Sequence, residues 1–309
     1  MELVGKSNKK RKKIKHWIPF YIMGLPGMIY LLINNYLPMV GLQVAFKKWD
    51  YQKGMWFSDW IGLKNFEFLF KSQAFRITRN TLLYNLTFII VGAILGISVA
   101  ILVNEIQSKQ FKKIYQTIIL LPFLMSMVIV AYLTYAYLSP QTGYINNILE
   151  AIGLNRISWY SEKKYWPFIL VFVQQWKTIG FGMVIYLSSI VGISKDYYEA
   201  AELDGATKWQ QIRTITLPLL KPTIITLLIL QVGQIFRSDF GLFYQVPMDQ
   251  GSLYAVTDTI DTFVYRGLMK TNNIGMSAAA GFYQSVVCFI TVVIFNGVIR
   301  KVNKENAMF

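Results

Sequence analysis

The chain predicts an all-α membrane protein with six transmembrane helices. Three observations carry that expectation. The 309 residues are 54% hydrophobic, with a mean hydropathy of +0.38. Six apolar runs approach the roughly 20 residues that cross a bilayer. Between the fourth and fifth runs lies a polar stretch, residues 197–222, that itself reads as two short helices about a turn.

In chain order, residues 1–16 form a basic tail with seven Lys and Arg, suited to an anionic membrane surface. The run that follows is too long for a signal-peptide core and shows no small-residue cleavage pattern. It reads as a first span over 18–46, interrupted by Pro26 and Pro38. Residues 47–79 carry Trp49, Tyr51, Trp56 and Trp60, rings that favour the membrane–water interface. The second span is expected over 82–104, and the third over 114–138 with Pro122 inside it. The fourth covers 166–193, the fifth 223–238 and the last 274–299. Residues 239–273 read as a long polar outer segment, in which Asp258 and Asp261 either order the chain or meet an external partner, with Arg237 and Asp239 near the outer mouth or paired with each other. One transmembrane domain thus occupies 17–309.

Orientation follows from the basic residues. With both termini inside, the inner segments hold seventeen Lys and Arg and the outer ones thirteen; Lys177 falls within a span. That bias agrees with the positive-inside rule and puts residues 197–222 on the inner side.

Composition also excludes several functions. A net charge of +15 would suggest nucleic acid for a soluble protein, but here it is spread over membrane flanks. One cysteine, Cys288, and one histidine, His16, allow no intramolecular disulfide and leave little for a zinc cluster or a nucleophile–base pair. No G-x-x-x-x-G-K-[ST] phosphate loop occurs, so this chain should not bind ATP by itself. An ion-gradient-driven secondary transporter or channel would also use six spans, yet no broken-helix repeat with matched acids is visible.

Polar groups inside spans cost several kcal/mol unless they meet water, a partner or a path. Gln174, Gln175, Trp176 and Lys177 stand together in the fourth span, with Gln174 and Lys177 one turn apart on nearly one helix face. Gln231 and Gln234 lie in the fifth span, and Tyr84 and Asn85 in the second. Amides supply hydrogen bonds and rings supply flat apolar faces, surfaces that a polar solute could use in crossing the membrane. These residues are the candidate substrate path; packing between helices is the competing role.

The polar stretch is the most specific signal. Tyr198, Glu199, Ala200, Ala201 and Leu203 are competent helix formers. Asp204-Gly205 ends that helix, because Gly closes helices in the left-handed conformation. Thr207 stands three residues before Gln210, the spacing of a capping box. Trp209, Ile212 and Ile215 share a face of the second helix, and Pro218 and Pro222 are expected to close it. Glu199-Ala200-Ala201, Asp204-Gly205-Ala206, Ile215, Pro218 and Pro222 resemble the EAA loop of ABC-importer permeases. Ile212 stands where that family more often has an aromatic residue, and Ser194 where it often has a Pro. Gly241–Gln245, Thr257-Asp258, Ile260-Asp261-Thr262, Val264-Tyr265-Arg266, Gly275–Ala279 and the ending Glu305–Phe309 resemble the polysaccharide-type permeases of the carbohydrate-uptake group. The resemblance implies a cytoplasmic coupling helix–turn–helix that docks in a groove of an ATPase. Glu199 would make a polar contact there, Asp204-Gly205 the turn, and Ala200, Ala201, Leu203 and Ile212 the packing, with Pro218 behind them. It further implies a second permease, two ATPase subunits that bind ATP and Mg, an external sugar-binding protein, and no cofactor in this chain.

Overall fold

The structure, a computed structural model, describes residue 17 and residues 19–70 and 72–302; the basic tail and the ending 305–309 lie outside them. Among the described residues there is no strand beyond one isolated bridge, Lys47 to Trp60. Among the described residues, five helices are long and apolar enough to cross a membrane, and a sixth candidate is a bent pair.

The first, α1, covers Pro19–Phe46. Pro26 does not interrupt it. Pro38 marks a change instead, where a π turn over Leu32–Tyr36 gives way to a 3-10 stretch over Leu37–Phe46. The second helix, α2, is Ser72–Asn104, ten residues longer at its start than expected. The added turns carry Arg76, Asn80 and Thr81, whose polarity hides the helix but whose side chains hold the segment after residue 239.

The expected third span is two helices. α3 (Lys109–Leu124) and α4 (Met127–Leu138) meet at a bend of 97°. Pro122 lacks the N–H that would bond back along α3. Met125 and Ser126 are extended, and Ser126 Oγ accepts from Ile129 N–H to cap α4. The fourth span, α5, is Trp166–Val191, close to its expected bounds.

α5 packs along α2 and α3. Gly180 is where α5 meets α3: a Cβ there would lie 2.3 Å from Ile119 O and 2.7 Å from Leu120 Cα. Both are backbone atoms, so the helices would have to part. Gly180→Ala is expected to cost about 1–3 kcal/mol through overpacking, read as a lower melting midpoint of the purified protein. An unchanged midpoint would show that the contact yields freely.

After α6 (Lys195–Leu203), the helix α7 runs from Lys208 to Val232 without a stop. This corrects two expectations. Pro218 and Pro222 do not close the second short helix, and the fifth span begins within the polar stretch and ends at Val232 rather than at residue 238. A π turn over Ile212–Thr216 precedes Pro218, with Leu217 N–H bonding to Ile212 O. The widened turn absorbs the proline's missing donor.

Residues 239–273 are not a simple polar loop. They fold into short helices, among them α8 (Phe240–Gln245) and α9 (Ile260–Met269), before α10 (Ile274–Val302). Leu242, Phe243, Val246, Leu253 and Ile260 are buried. Asp258 is buried between Arg76 of α2 (3.1 Å) and Arg266 of α9, and Arg266 also bonds Asp249 at 3.1 Å. Burial raises the Asp258 carboxyl above its usual range while Arg266 and Arg76 pull it down. Asp261 Oδ2 accepts from Ser238 N and Oγ, both at 2.7 Å, and from Gln284 Nε2 at 3.1 Å. Both acids therefore order this segment. Their charges made it look solvated, while Arg76, one of the partners that bury Asp258, lies 182 residues away in sequence.

Candidate functional site

Two features lie along one continuous helix. At the start of α7 is the helix–turn–helix. Ser194 caps α6 through Asp196 N–H, standing in for the proline that is absent there. Gly205 takes φ +78°, its N–H bonds Glu202 O at 3.0 Å, and Ala206 N–H bonds Ala201 O at 2.9 Å. These are the two bonds of a Schellman closure. Thr207 and Gln210 complete a capping box.

The unit is also cross-braced. Tyr198 Oη meets Thr216 Oγ1 at 2.9 Å, and Lys208 pairs with Glu202 at 2.8 Å. The Lys208 hydrogen bond holds the Glu202 carboxyl below its usual range. Against this rigid frame, Leu203 is 90% exposed and Trp209 69% exposed. Glu199, Ala200 and Asp204 are exposed too, while Ala201 and Ile212 are half-buried. The braced unit thus displays two large apolar side chains at its surface.

Near the other end of α7 is a polar cavity of about 490 Å³ between α2, α5 and α7. The structure brings Gln174, Gln175, Gln231 and Gln234 together there, with Asn85, Thr178, Arg237 and Asp239. Three expected path residues lie elsewhere. Tyr84 lines an apolar groove on another side of α2, and its Oη donates to Val256 O at 2.9 Å. Trp176 lines a second apolar groove, between α4 and α5. Lys177 Nζ donates to Met125 O at 2.6 Å, Phe123 O at 3.0 Å and Pro122 O at 3.5 Å, closing the end of α3 at the bend.

Successive residues turn by about 100°, so Trp176 points away from the cavity, while Lys177, close to the face of Gln174, is turned aside by the carbonyls at the end of α3. Arg237 and Asp239 do not pair with each other among the described residues. Asp239 Oδ1 instead caps α8 through Leu242 N–H at 3.1 Å. Arg237 is held by its backbone, since Asn85 Nδ2 donates to Arg237 O at 2.9 Å and Ile235 O at 2.8 Å. Sequence reasoning missed Thr178 as a lining residue; its place one turn after Gln174 was the available signal.

Membrane-length helices with an exposed helix–turn–helix at one end of α7 and an amide-bearing cavity near the other are an arrangement that suits a transport permease. The chain belongs to the binding-protein-dependent transport system inner membrane component family, whose model matches residues 79–304. It is 32% identical to Protein LplB of Bacillus subtilis (strain 168), over 92% of this chain and 89% of that one. It is also 32% identical to the polygalacturonan/rhamnogalacturonan transport system permease protein YteP of the same organism, over 92% and 88%. Among solved structures it resembles a bacterial ABC transporter involved in the import of the acidic polysaccharide alginate. There the TM-score is 0.86 at 36% identity, with 96% of this chain and 99% of that chain covered.

Proposed function

We propose that this chain is the permease subunit of an ATP-driven, binding-protein-dependent importer of oligosaccharides or polysaccharide fragments. It works with a second permease, two ATPase subunits that bind ATP and Mg, and an external sugar-binding protein, and both its termini are cytoplasmic. The observation that carries this reading is the continuity of α7. One helix of 25 residues joins Trp209 in the exposed docking unit to Gln231 in the polar cavity. At 1.5 Å per residue it spans about 37 Å, so a push on the docking unit reaches the cavity wall as a rigid displacement. ATP bound by the ATPase supplies the differential affinity that shifts the cavity between two states. The relatives support the substrate class, since one carries polygalacturonan and rhamnogalacturonan and the solved neighbour imports alginate.

The test is purification of the chain with its encoded neighbours and reconstitution in proteoliposomes. An ATPase is expected to co-purify, and oligosaccharide delivered by the binding protein is expected to stimulate ATP hydrolysis and enter the vesicles. Uptake that continues with no ATPase present would sink the reading in favour of a gradient-driven carrier.

A further inference from the structure

We infer that Asn35, exposed near the middle of α1, is the residue through which this chain selects the second permease. Its amide hydrogen-bonds a polar group on a membrane helix of that partner, and α1 is the arm that presents it. This rests on the importer reading and assigns the surface and side chain by which the partner is recognised.

α1 is tied to its own bundle at one end. Val44 and Ala45 are buried, and the Phe46 ring packs against Phe66 and Phe282, with centroids 5.3 Å away in each case. Asn65 Nδ2 donates to Ala45 O at 3.0 Å and to Lys47 O at 2.8 Å. Every residue from Pro19 to Val40, in contrast, is exposed. Apolar side chains alone would be satisfied by lipid tails, which are as apolar as they are. Two asparagines change that. Asn34 is met within the helix, since its Nδ2 donates to Tyr30 O at 3.0 Å. Asn35 has no hydrogen-bond partner among the described residues. It stands 16 residues after Pro19 and 11 before Phe46, well inside the span. Lipid tails offer its amide neither donor nor acceptor. A neighbouring helix with a polar group offers both, and such bonds help to hold membrane helices together.

Two further features of α1 suit a helix–helix contact. Asn35 lies in the π turn over Leu32–Tyr36, and single π turns recur at functional positions. Gly24 and Gly27 leave open space, with no heavy atom within 4 Å of where a Cβ would stand, so a partner backbone can come close. A single unmet amide on an apolar face also discriminates. A neighbour with a matching amide, hydroxyl or free carbonyl satisfies it, and one without leaves it unpaired. In the importer reading the neighbour within the bilayer is the second permease.

The experiment co-expresses the tagged full chain with the second permease and the ATPase encoded beside it. After purification in detergent it measures the second permease retained per tagged chain. Asn35→Leu is expected to lower that ratio about threefold or more. Because Asn35 is exposed, leucine crowds nothing within the chain. Asn35→Gln should recover much of the ratio by keeping the amide, and Asn34→Leu should leave it near wild type. A photo-activatable phenylalanine at position 36 should form its main adduct with the second permease. A main adduct with lipid, with the chain's own bundle or with a second copy of the chain overturns the inference. So does an Asn35→Leu chain that retains the second permease at the wild-type ratio. A wild-type chain that purifies with no second permease defeats the importer reading and this inference together. Either overturning result beside intact ATP-driven uptake defeats this inference alone.

Discussion

Gly205→Val is expected to abolish ATP-driven sugar uptake in proteoliposomes while the membrane helices still insert. Gly205 sits at φ +78°, where a Cβ costs roughly 1–2 kcal/mol even for unbranched residues. The space around it is open, with no heavy atom within 4 Å of where a Cβ would stand, so the penalty is backbone strain and not crowding. Valine would relieve the strain by returning to negative φ. That move breaks the bonds from Gly205 to Glu202 and from Ala206 to Ala201, and swings α6 away from the start of α7. The Tyr198–Thr216 and Glu202–Lys208 braces would be lost with it. On the proposed reading, Leu203 and Trp209 would then no longer form one docking surface. Gly205→Asn should be milder, because Asn enters the left-handed region more readily. Glu199→Ala should also be milder, because it leaves the turn intact. Uptake at the wild-type rate by Gly205→Val, at matched protein levels, would remove this loop from the transmission of ATP-driven motion.

The turn was legible in the sequence because its signals are local. Gly205, Thr207 and Gln210 act on residues within one or two turns of themselves. The fourth span was legible for the same reason, being a long apolar run. What escaped the sequence depends on distant partners. Pro122 is tolerated within many membrane helices, so it did not announce a 97° bend. The bend is completed by Lys177, which reaches carbonyls 52 to 55 residues earlier. Pro218 and Pro222 carry the ordinary meaning of a helix stop, and a π turn overrides it. The segment after residue 239 looked solvated because its carboxylates are visible in the sequence and Arg76, 182 residues before Asp258, is not obviously their partner. The polar cavity was half legible. Glutamines inside apolar runs marked it, but which neighbours shared it depended on the rotation of α5 and on the clamp that Asn85 places on Arg237.

Lys177→Met is expected to destabilise the protein by about 3 kcal/mol or more and to leave the sugar preference of the surviving complex as it was. The sequence alone left Lys177 between the substrate path and packing between helices. The geometry decides between them. The last carbonyls of a helix have no partner within it, and those of α3 end at the bend, where they are exposed or half-buried. The Lys177 ammonium takes Phe123 O at 3.0 Å and, just past the helix end, Met125 O at 2.6 Å, and it lies 3.5 Å from Pro122 O, which Met125 N–H also reaches at 3.2 Å. Each hydrogen bond to a charged group contributes about 1.5–3 kcal/mol, and a cation at a helix C-terminus also answers the helix dipole. Methionine matches the length and apolar volume of the lysine stem, so the effect would report the lost ammonium and not a cavity. Lys177→Arg should recover much of the stability, since it restores the charge and the donors. The measurements are the melting midpoint of the purified complex and the uptake ratio for a series of oligosaccharides. A Lys177→Met complex that melts like wild type but takes up the sugars in altered proportion would return this residue to the substrate path.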